Sequence, residues 1–331
     1  MMGGQQLHRS VLLDEVVEAL DPVDGGFYLD ATFGNGGYSR AILERADCAV
    51  IAIDRDPDAI ARGQSMCAEF AGRFFLREGC FSDLASLIRA AAPQQDQIDG
   101  AAFDLGVCST QLDQPARGFS FRADGPLDMR MSKSGPSAAD VVMQTSESDL
   151  ANILWEYGEE KASRRIAKAI GKARTEAPIT TTSQLAAIIH NVMPAKRPDQ
   201  IDPATRSFQA LRIFVNRELD ELEAGLAAAE TLLRPDGMLA VVSFHSLEDR
   251  IVKRFLASRS QYAARPSRHR PLTADGPAPS FDIPHRKAIT PSPNECRANA
   301  RARSAKLRIA RRTDVAVSLQ QTSQSEPSQC G

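Results

Sequence analysis

The sequence of 331 residues predicts an α/β fold, with a mainly parallel, doubly wound sheet and an inserted α-helical domain. Short apolar runs alternate with longer amphipathic segments over the first hundred residues, as in a parallel sheet covered on both faces. A glycine-rich loop follows the first apolar run. Nearly a hundred residues then separate the fourth predicted strand from the next long helix, far more than a connecting loop of ~4–6 residues.

The N-terminal segment predicts a helix, a strand and a ligand-binding loop in that order. A helix is predicted over residues 11–20, because Ser10 can cap it and Asp21-Pro22 can close it. A strand over residues 27–30 leads into the glycine loop at residues 30–38, DATFGNGGY. Glycines let a backbone turn sharply and approach a ligand closely, and the following helix start offers unpaired N–H groups. This stretch therefore predicts a nucleotide-type cofactor site.

The remaining elements of the main domain follow from apolar periodicity and from capping signals. The further strands are predicted over residues 49–53, 74–76, 100–103, 238–242 and 304–311. The last of these alternates with period two and is predicted to be an edge strand with its basic residues outward. Helices are predicted over residues 39–46, 56–71, 82–92, 205–233 and 248–257. Asp56 stands before Pro57 and is predicted to be a helix N-cap.

The inserted domain is predicted over residues 111–202, between two parts of the main domain at 1–110 and 203–312. It contains helical patterns over residues 147–157, 159–175 and 182–192. It leaves the sheet at the carboxyl end of strand four, where doubly wound sheets bind their ligands. The polar tail, residues 313–331, is predicted to be disordered.

Composition restricts the compartment and the partners. The net charge of −2 conceals a basic stretch at residues 250–312, with sixteen Arg or Lys and three acidic residues. Such a stretch fits a polyanionic partner or, equally well, a solvated surface. The six scattered cysteines contain no C-x-x-C pair, so neither a metal site nor a disulfide framework is predicted. No apolar run approaches the ~18 residues that span a bilayer. We therefore expect a cytoplasmic protein.

The glycine loop fits two cofactor classes. Dinucleotide enzymes use G-x-G-x-x-G, but here Ser39 occupies the place of the third glycine after Gly34 and Gly36. Asp54, after strand two, could bind a ribose in either class. Asp30 favours S-adenosylmethionine, because a carboxylate at that place can bear on the amino-acid part of the cofactor. The loop alone favours a methyltransferase over a nicotinamide-dependent dehydrogenase without excluding the latter.

Longer blocks of sequence carry a family resemblance. They are residues 8–15 (HRSVLLDE), 104–113 (DLGVCSTQLD), 117–121 (RGFSF), 125–131 (GPLDMRM), 203–212 (PATRSFQALR), 243–253 (SFHSLEDRIVK) and 301–308 (RARSAKLR). In this order they resemble the bacterial family of ribosomal RNA small subunit methyltransferase H, over about residues 8 to 312. That family methylates N4 of a cytidine in the decoding region of small-subunit (16S) ribosomal RNA. The resemblance implies a Rossmann-like class I methyltransferase fold and S-adenosyl-L-methionine as cofactor.

The resemblance also implies cofactor-binding residues. These are Gly36, Gly37, Tyr38, Asp54, Phe81, Asp104 and Gln111. Two positions depart from the family pattern: Tyr38 replaces the usual His, and Cys108 replaces the usual Ser. A role of residue 38 through its backbone N–H or through ring packing would survive this change, whereas a role that requires an imidazole would not.

Candidate catalytic and substrate residues are fewer. Asp104 is a candidate hydrogen-bond acceptor for the target amine, with Asp128, His245 and main-chain carbonyls as alternatives. The candidate substrate-binding residues are Asp128, Arg130, His245, Arg301 and Arg303. Phe119, Phe121 and Phe244 could stack on a base, although such a phenylalanine is more often a core residue.

The expected partner is small-subunit ribosomal RNA within the assembled 30S particle. The protein itself is expected to be a monomer or a homodimer. The C-terminal basic segment, including Lys306 and Arg308, and a basic stripe on the inserted helices would clamp the RNA from two sides. That stripe is Lys161, Arg164, Arg165, Lys168 and Lys172, and a solvated helix face explains it equally well. A non-enzymatic RNA-binding protein with a vestigial loop is the remaining alternative, and the intact Gly36, Gly37, Asp54 and Asp104 argue against it.

Overall fold

The computed structural model describes residues 9–193, 201–260 and 278–316. Its centre is a sheet of seven strands: β1 Phe27–Asp30, β2 Ala49–Asp54, β3 Phe74–Glu78, β4 Ile98–Asp104, β5 Leu233–Ser243, β6 Phe281–Asp282 and β7 Lys306–Arg312. Their order is β3-β2-β1-β4-β5-β7-β6. The first five strands are parallel, whereas β7 is antiparallel to both of its neighbours. This confirms the predicted Rossmann-like α/β fold of class I methyltransferases.

The helices of the described residues are, in chain order, α1 Leu13–Leu20, α2 Gly37–Arg45, α3 Pro57–Glu69, α4 Leu84–Ala91, α5 Ser109–Asp113, α6 Ala138–Gln144, α7 Glu147–Gly158, α8 Ser163–Glu176, α9 Thr182–Val192, α10 Ala204–Asn216, α11 Glu218–Leu232, α12 Ser246–Ser258 and α13 Pro293–Ala298. Helices α1–α3 cover one face of the sheet, and α4, α11 and α12 cover the other. Burial on both faces explains why the strand sequences are almost continuously apolar.

The helical region after β4 has a hydrophobic core of its own. Leu150 and Leu154 of α7, Ile166 of α8 and Leu185 of α9 are fully buried in it. The patterns predicted over residues 147–192 correspond to α7, α8 and α9. Helix α10 also packs in this core, through Phe208 among others, and the chain then continues into α11, which covers the sheet.

Three details of the secondary structure correct the sequence-based predictions. The single helix predicted over residues 205–233 is two helices, α10 and α11, broken at Arg217 with a left-handed φ of 50°. Ser10 is not a cap, because α1 begins at Leu13 and the Leu12 N–H instead donates to Glu295 at 2.8 Å. The strand predicted at the sheet edge is β7, which lies between β5 and β6.

Some predictions fall on other parts of the chain. Residues 194–200 of the predicted insertion, 261–277 of the basic stretch and 317–331 of the predicted tail lie outside the described residues. Within the described ranges, none of the helices has both the length and the apolar character needed to cross a membrane.

Candidate functional site

A cavity of about 400 Å³ opens at the carboxyl ends of the parallel strands. Its wall is formed by the loops after β1, β2, β3 and β4 and by side chains of α10, α11 and α12. Residues 9–11 and residues of the 299–304 segment border it as well. This is the position at which parallel α/β sheets bind ligands.

The glycine loop is packed too tightly for side chains at two places. Gly36 has a φ of +78°, and a Cβ added there would lie 2.8 Å from the Phe33 ring. A Cβ added at Gly37 would lie 2.1 Å from the Ser10 hydroxyl. Neither position tolerates a larger residue without movement of the N-terminal segment or of the core. Neither glycine borders the cavity itself, whose wall at this loop is formed by Phe33, Gly34, Asn35 and Tyr38.

Asp30 holds the loop from behind. Its buried carboxylate accepts hydrogen bonds from the Ser39 hydroxyl at 2.6 Å and from the backbone N–H groups of Thr32 and Ser39 at 3.1 and 3.2 Å. Burial raises the pKa of Asp30 despite these bonds. Ser39, which stands where a dinucleotide loop has its third glycine, thus serves as a partner of this carboxylate.

The Tyr38 ring is almost fully buried, and it also borders the cavity. Its hydroxyl donates a hydrogen bond to the carbonyl of Val11. The side chain therefore fastens the N-terminal segment beside the glycine loop. Burial raises the pKa of Tyr38 well above its usual value, so the phenol stays neutral.

Asp54 and Phe81 form the end of the cavity near β2 and β3. Asp54 accepts hydrogen bonds from the N–H groups of Gly34 and Asp56, both at 2.8 Å. Burial outweighs these bonds and raises the pKa of Asp54 to about 6. The Phe81 ring borders the cavity and packs edge-on against Phe103, with ring centroids 5.3 Å apart. This end offers a carboxyl group beside an apolar surface.

Asp104 lies at the carboxyl end of β4, in the middle of the cavity wall. Thr32 fixes its backbone by accepting the Asp104 N–H at 2.7 Å. Its Oδ1 is buried and has no hydrogen-bond partner among the described residues. Burial, and then the charges of Asp30 and Glu248, raise the pKa of Asp104 well above its usual value. An unpaired, buried carboxyl group of this kind fits a cationic or hydrogen-bond-donating ligand.

Gln111 borders the cavity, but its amide is engaged within the protein. Its Oε1 accepts the Cys108 N–H at 3.0 Å, and its Nε2 donates to Asp56 at 2.7 Å. Asp56 is the predicted N-cap and accepts the Asp58 N–H at 3.0 Å. Arg117 pairs with the same carboxylate at 2.8 Å and donates to the carbonyls of residues 130 and 131. This buried cluster joins α3 to the loop that enters the helical region.

The candidate substrate residues are distributed over several places. Asp128 and Arg130 pair with each other, with Nη2 and Oδ2 2.8 Å apart, and neither borders the cavity. His245 is the N-cap of α12. Arg301 borders the cavity mouth and pairs with Asp113 at 2.5 Å. Arg303 is exposed outside the cavity wall.

The aromatic and basic candidates also lie in different places, either at the cavity or away from it. Phe244 borders the cavity, whereas Phe119 and Phe121 pack in the helical core and do not form a stacking platform. Lys306 and Arg308 both pair with Asp249 of α12, at 3.0 and 2.8 Å. The stripe on and before α8 is exposed at Lys161, Arg164, Arg165, Lys168 and Lys172.

Sequence reasoning missed a charged group at the far end of the cavity. Arg212 donates from Nε and Nη2 to the two oxygens of Glu218, both at 2.8 Å. Glu248 is buried nearby and accepts the Phe244 N–H at 2.7 Å. Arg212 and Glu248 both lie inside quoted sequence blocks. The sequence gives each an ordinary structural explanation, because Arg212 fits the polar face of an amphipathic helix and Glu248 fits a capping box.

The same group has the chemistry of a metal site, with side-chain donor atoms of Glu218, His245 and Glu248 within 4.8 Å of one another. However, Arg212 already neutralises Glu218 through a two-pronged ion pair. A metal ion would have to displace this guanidinium. The cluster is therefore better explained as an ion pair with Arg212 than as a metal site.

Comparison with known proteins gives a consistent result over almost the whole chain. A sequence profile for the MraW methylase family matches residues 5–313. The ribosomal RNA small subunit methyltransferase H of Paramagnetospirillum magneticum is 60% identical over 309 residues, which cover 93% of this chain and 96% of that protein. Proteins of the same name from Rhodospirillum rubrum and Rhodospirillum centenum are 55% and 58% identical; each match covers 93% of this chain and, respectively, 94% and 93% of the relative.

The raised pKa of Asp104 predicts that this residue destabilises the ligand-free protein. When a carboxyl group has a higher pKa in the folded than in the unfolded protein, the folded protein loses stability as pH rises from the unfolded-state pKa toward the folded-state pKa. Asp104→Asn should therefore raise the melting temperature at pH 7, because the neutral amide carries no penalty for burying a charge. The gain should shrink toward pH 4. Thermal denaturation at several pH values measures it, with the exposed Asp96→Asn as control. A gain that does not depend on pH would contradict this account.

Proposed function

The chain belongs to the MraW methylase family, and we propose that it transfers a methyl group from S-adenosylmethionine to N4 of a specific cytidine in the decoding region of 16S ribosomal RNA. The names of its relatives support small-subunit ribosomal RNA as the substrate. The single observation that carries the chemistry is the buried, unpaired carboxyl group of Asp104 beside the glycine loop.

The residues around the cavity fit S-adenosylmethionine. Asp54 would accept hydrogen bonds from the ribose hydroxyls, and the Phe81 ring would cover the adenine. Asp104 would face the positively charged end, which matches its unpaired oxygen. Gly36 and Gly37 would shape the loop through their close packing on Phe33 and Ser10, and Tyr38 and Gln111 border the cavity. When bound, the cofactor supplies a methyl group on a positively charged sulfur atom.

The position of Asp104 favours S-adenosylmethionine over a nicotinamide dinucleotide. Acidic and basic side chains both border the cavity, but the buried Oδ1 of Asp104 has no hydrogen-bond partner among the described residues. A cationic sulfonium or ammonium group would be attracted to this carboxyl group, whereas a pyrophosphate would be repelled by its ionised form. Titration calorimetry with NAD and with S-adenosylmethionine separates the two cofactors directly.

The target amine is a weak nucleophile, because its lone pair is delocalised into the cytosine ring. The protein therefore has to align this nitrogen and to accept its hydrogen bonds. We propose Asp104 for this contact, since it lies between the cofactor loop and the far end of the cavity. Asp128 lies outside the cavity wall. Because Asp104 is buried, the cytidine has to leave its stack to reach it.

The RNA itself would be bound outside the cavity, as part of the assembled 30S subunit. The predicted inserted domain, residues 111–202, leaves the sheet beside Asp104 and would recognise the RNA. Its exposed basic stripe and the guanidinium groups of Arg301 and Arg303 would contact phosphates from two sides. Arg301 is the better placed of the two, because it borders the cavity mouth.

Cofactor affinity should depend on pH. The pKa of Asp54 is raised to about 6, so its carboxylate becomes protonated as pH falls through that value and ceases to accept both hydroxyls. The dissociation constant of S-adenosylhomocysteine should be about tenfold larger at pH 5 than at pH 7. Titration calorimetry at several pH values measures this. Asp54→Asn should bind weakly and show no such change, and a constant affinity for the wild type would refute the assigned contact.

The reaction is tested by mapping the methylated nucleotide. Mass spectrometry of 16S ribosomal RNA should show one N4-methylated cytidine in cells that have the protein and an unmodified cytidine in cells that lack it. Complementation with Asp104→Asn should leave the cytidine unmodified, because an amide oxygen is a weaker acceptor than a carboxylate oxygen and cannot take up a proton. If that variant still methylates and only its cofactor affinity falls, Asp104 is not the acceptor.

Neutralising Arg301 and Arg303 tests the RNA contact. The double substitution to Gln should weaken binding to small subunits and reduce the slope of log affinity against log salt by about 0.9 for each lost phosphate contact. Arg89→Gln, at an exposed position of α4, is the matched control. An unchanged salt slope would show that the two arginines do not bind phosphates.

A further inference from the structure

The far end of the cavity lies in front of Gly106, two residues after Asp104. Gly106 has a φ of +89°. A Cβ added to it would lie 3.9 Å from Glu248 Oε1, 3.9 Å from the Phe244 ring and 4.0 Å from Arg212 Nη2. An acceptor, a donor and an aromatic ring thus converge on one space, and all three residues border the cavity.

Glu248 is held as a fixed acceptor at this point. Its Oε2 accepts the N–H groups of Phe244 and His245, at 2.7 and 3.2 Å, which leaves Oε1 toward the space before Gly106. His245 Nε2 lies 3.0 Å from Oε1 without the alignment of a full hydrogen bond. Burial acts to raise the pKa of Glu248, but His245, Arg212 and the Phe244 N–H outweigh it and lower this pKa. Glu248 is therefore ionised.

Arg212 is held as a fixed donor. Glu218 engages Nε and Nη2, and the planar guanidinium has five N–H groups in all. Burial acts to lower the pKa of Arg212, but Glu218 and Glu248 outweigh it and raise this pKa. The guanidinium stays charged, and the two-pronged pair with Glu218 fixes its orientation.

We infer that Glu248 and Arg212 bind the Watson–Crick edge of the target cytosine, with Glu248 accepting from the N4 amine and Arg212 donating to N3 and O2. This inference rests on the proposed function. The Phe244 ring would pack against the base. An amine has two N–H groups, so Asp104 and Glu248 can each accept one of them. Uracil has an acceptor in place of the amine, and its O4 would face the Glu248 carboxylate. The pair therefore selects cytosine over uracil.

Glu248→Gln tests the acceptor, because the glutamine oxygen can still accept the N–H groups of Phe244 and His245. On small subunits that lack the modification, kcat/KM should fall about 100-fold. The dissociation constant of S-adenosylhomocysteine should stay within about twofold and the melting temperature within a few degrees. Glu223→Gln, at an exposed position of α11, should retain full activity.

Arg212→Lys tests the donor together with a modified substrate. Small subunits are reconstituted with RNA that has 3-deazacytidine, which lacks the N3 acceptor, at the target position. The wild type should lose about tenfold in kcat/KM on this RNA, whereas the variant, already slower on cytidine, should lose nothing further. Equal losses in both proteins would show that Arg212 does not contact N3.

The outcomes distinguish a failure of the proposed function from a failure of the role inferred for Glu248. If the wild type does not methylate the subunits, the proposed function fails. If the wild type methylates them and Glu248→Gln is as fast, the inference about Glu248 is wrong. If the variant unfolds or loses the cofactor, Glu248 acts as a helix cap, and the inference is overturned as well.

Discussion

Burial of several carboxyl groups at one edge of the sheet is the constraint on which this structure depends. Asp30, Asp54 and Asp104 follow or end parallel strands, and Glu248 begins the helix after β5. Burial disfavours the ionised form and raises the pKa values of all three aspartates, and neighbouring carboxylates add to the rise at Asp54 and Asp104. Each buried carboxyl group needs hydrogen bonds or a cationic partner to offset its lost hydration. Asp30 obtains hydrogen bonds from Ser39 and the Thr32 N–H, whereas one oxygen of Asp104 has no hydrogen-bond partner among the described residues.

The buried cluster around Asp56 connects helix α3, beside the cavity, to the helical region. Asp56 caps α3 and receives both Gln111 and Arg117, while Arg117 also donates to two carbonyls of the loop before α6. A buried ion pair is weak support for stability alone, but the removal of one partner leaves an uncompensated charge. The cluster therefore specifies where the helical region sits relative to the cavity. Gln111 contributes to the site by holding the wall in place.

The sheet was predictable because buried parallel strands require continuous apolar runs, and Asp56-Pro57 is a local capping signal. The partners of side chains were not predictable in the same way. Gln111 was expected at the cofactor, yet its amide bonds within 3.0 Å to Cys108 and Asp56. The alternation at Lys306 and Arg308 indicated a strand, but no local pattern could show that Asp249 of α12 lies over it. Such pairings depend on tertiary contacts between distant segments.

The helix break at Arg217 shows how an unpredicted detail can create a site. Neither glycine nor proline marks it, so the run from 205 to 233 reads as one helix. In the structure the Asn216 side chain donates to the carbonyls of Met129 and Arg212, and α10 ends there. The chain then turns, and Glu218 at the start of α11 faces Arg212. In a continuous helix, residues six positions apart would lie on different faces and could not form this pair. The break therefore supplies the fixed guanidinium opposite Glu248.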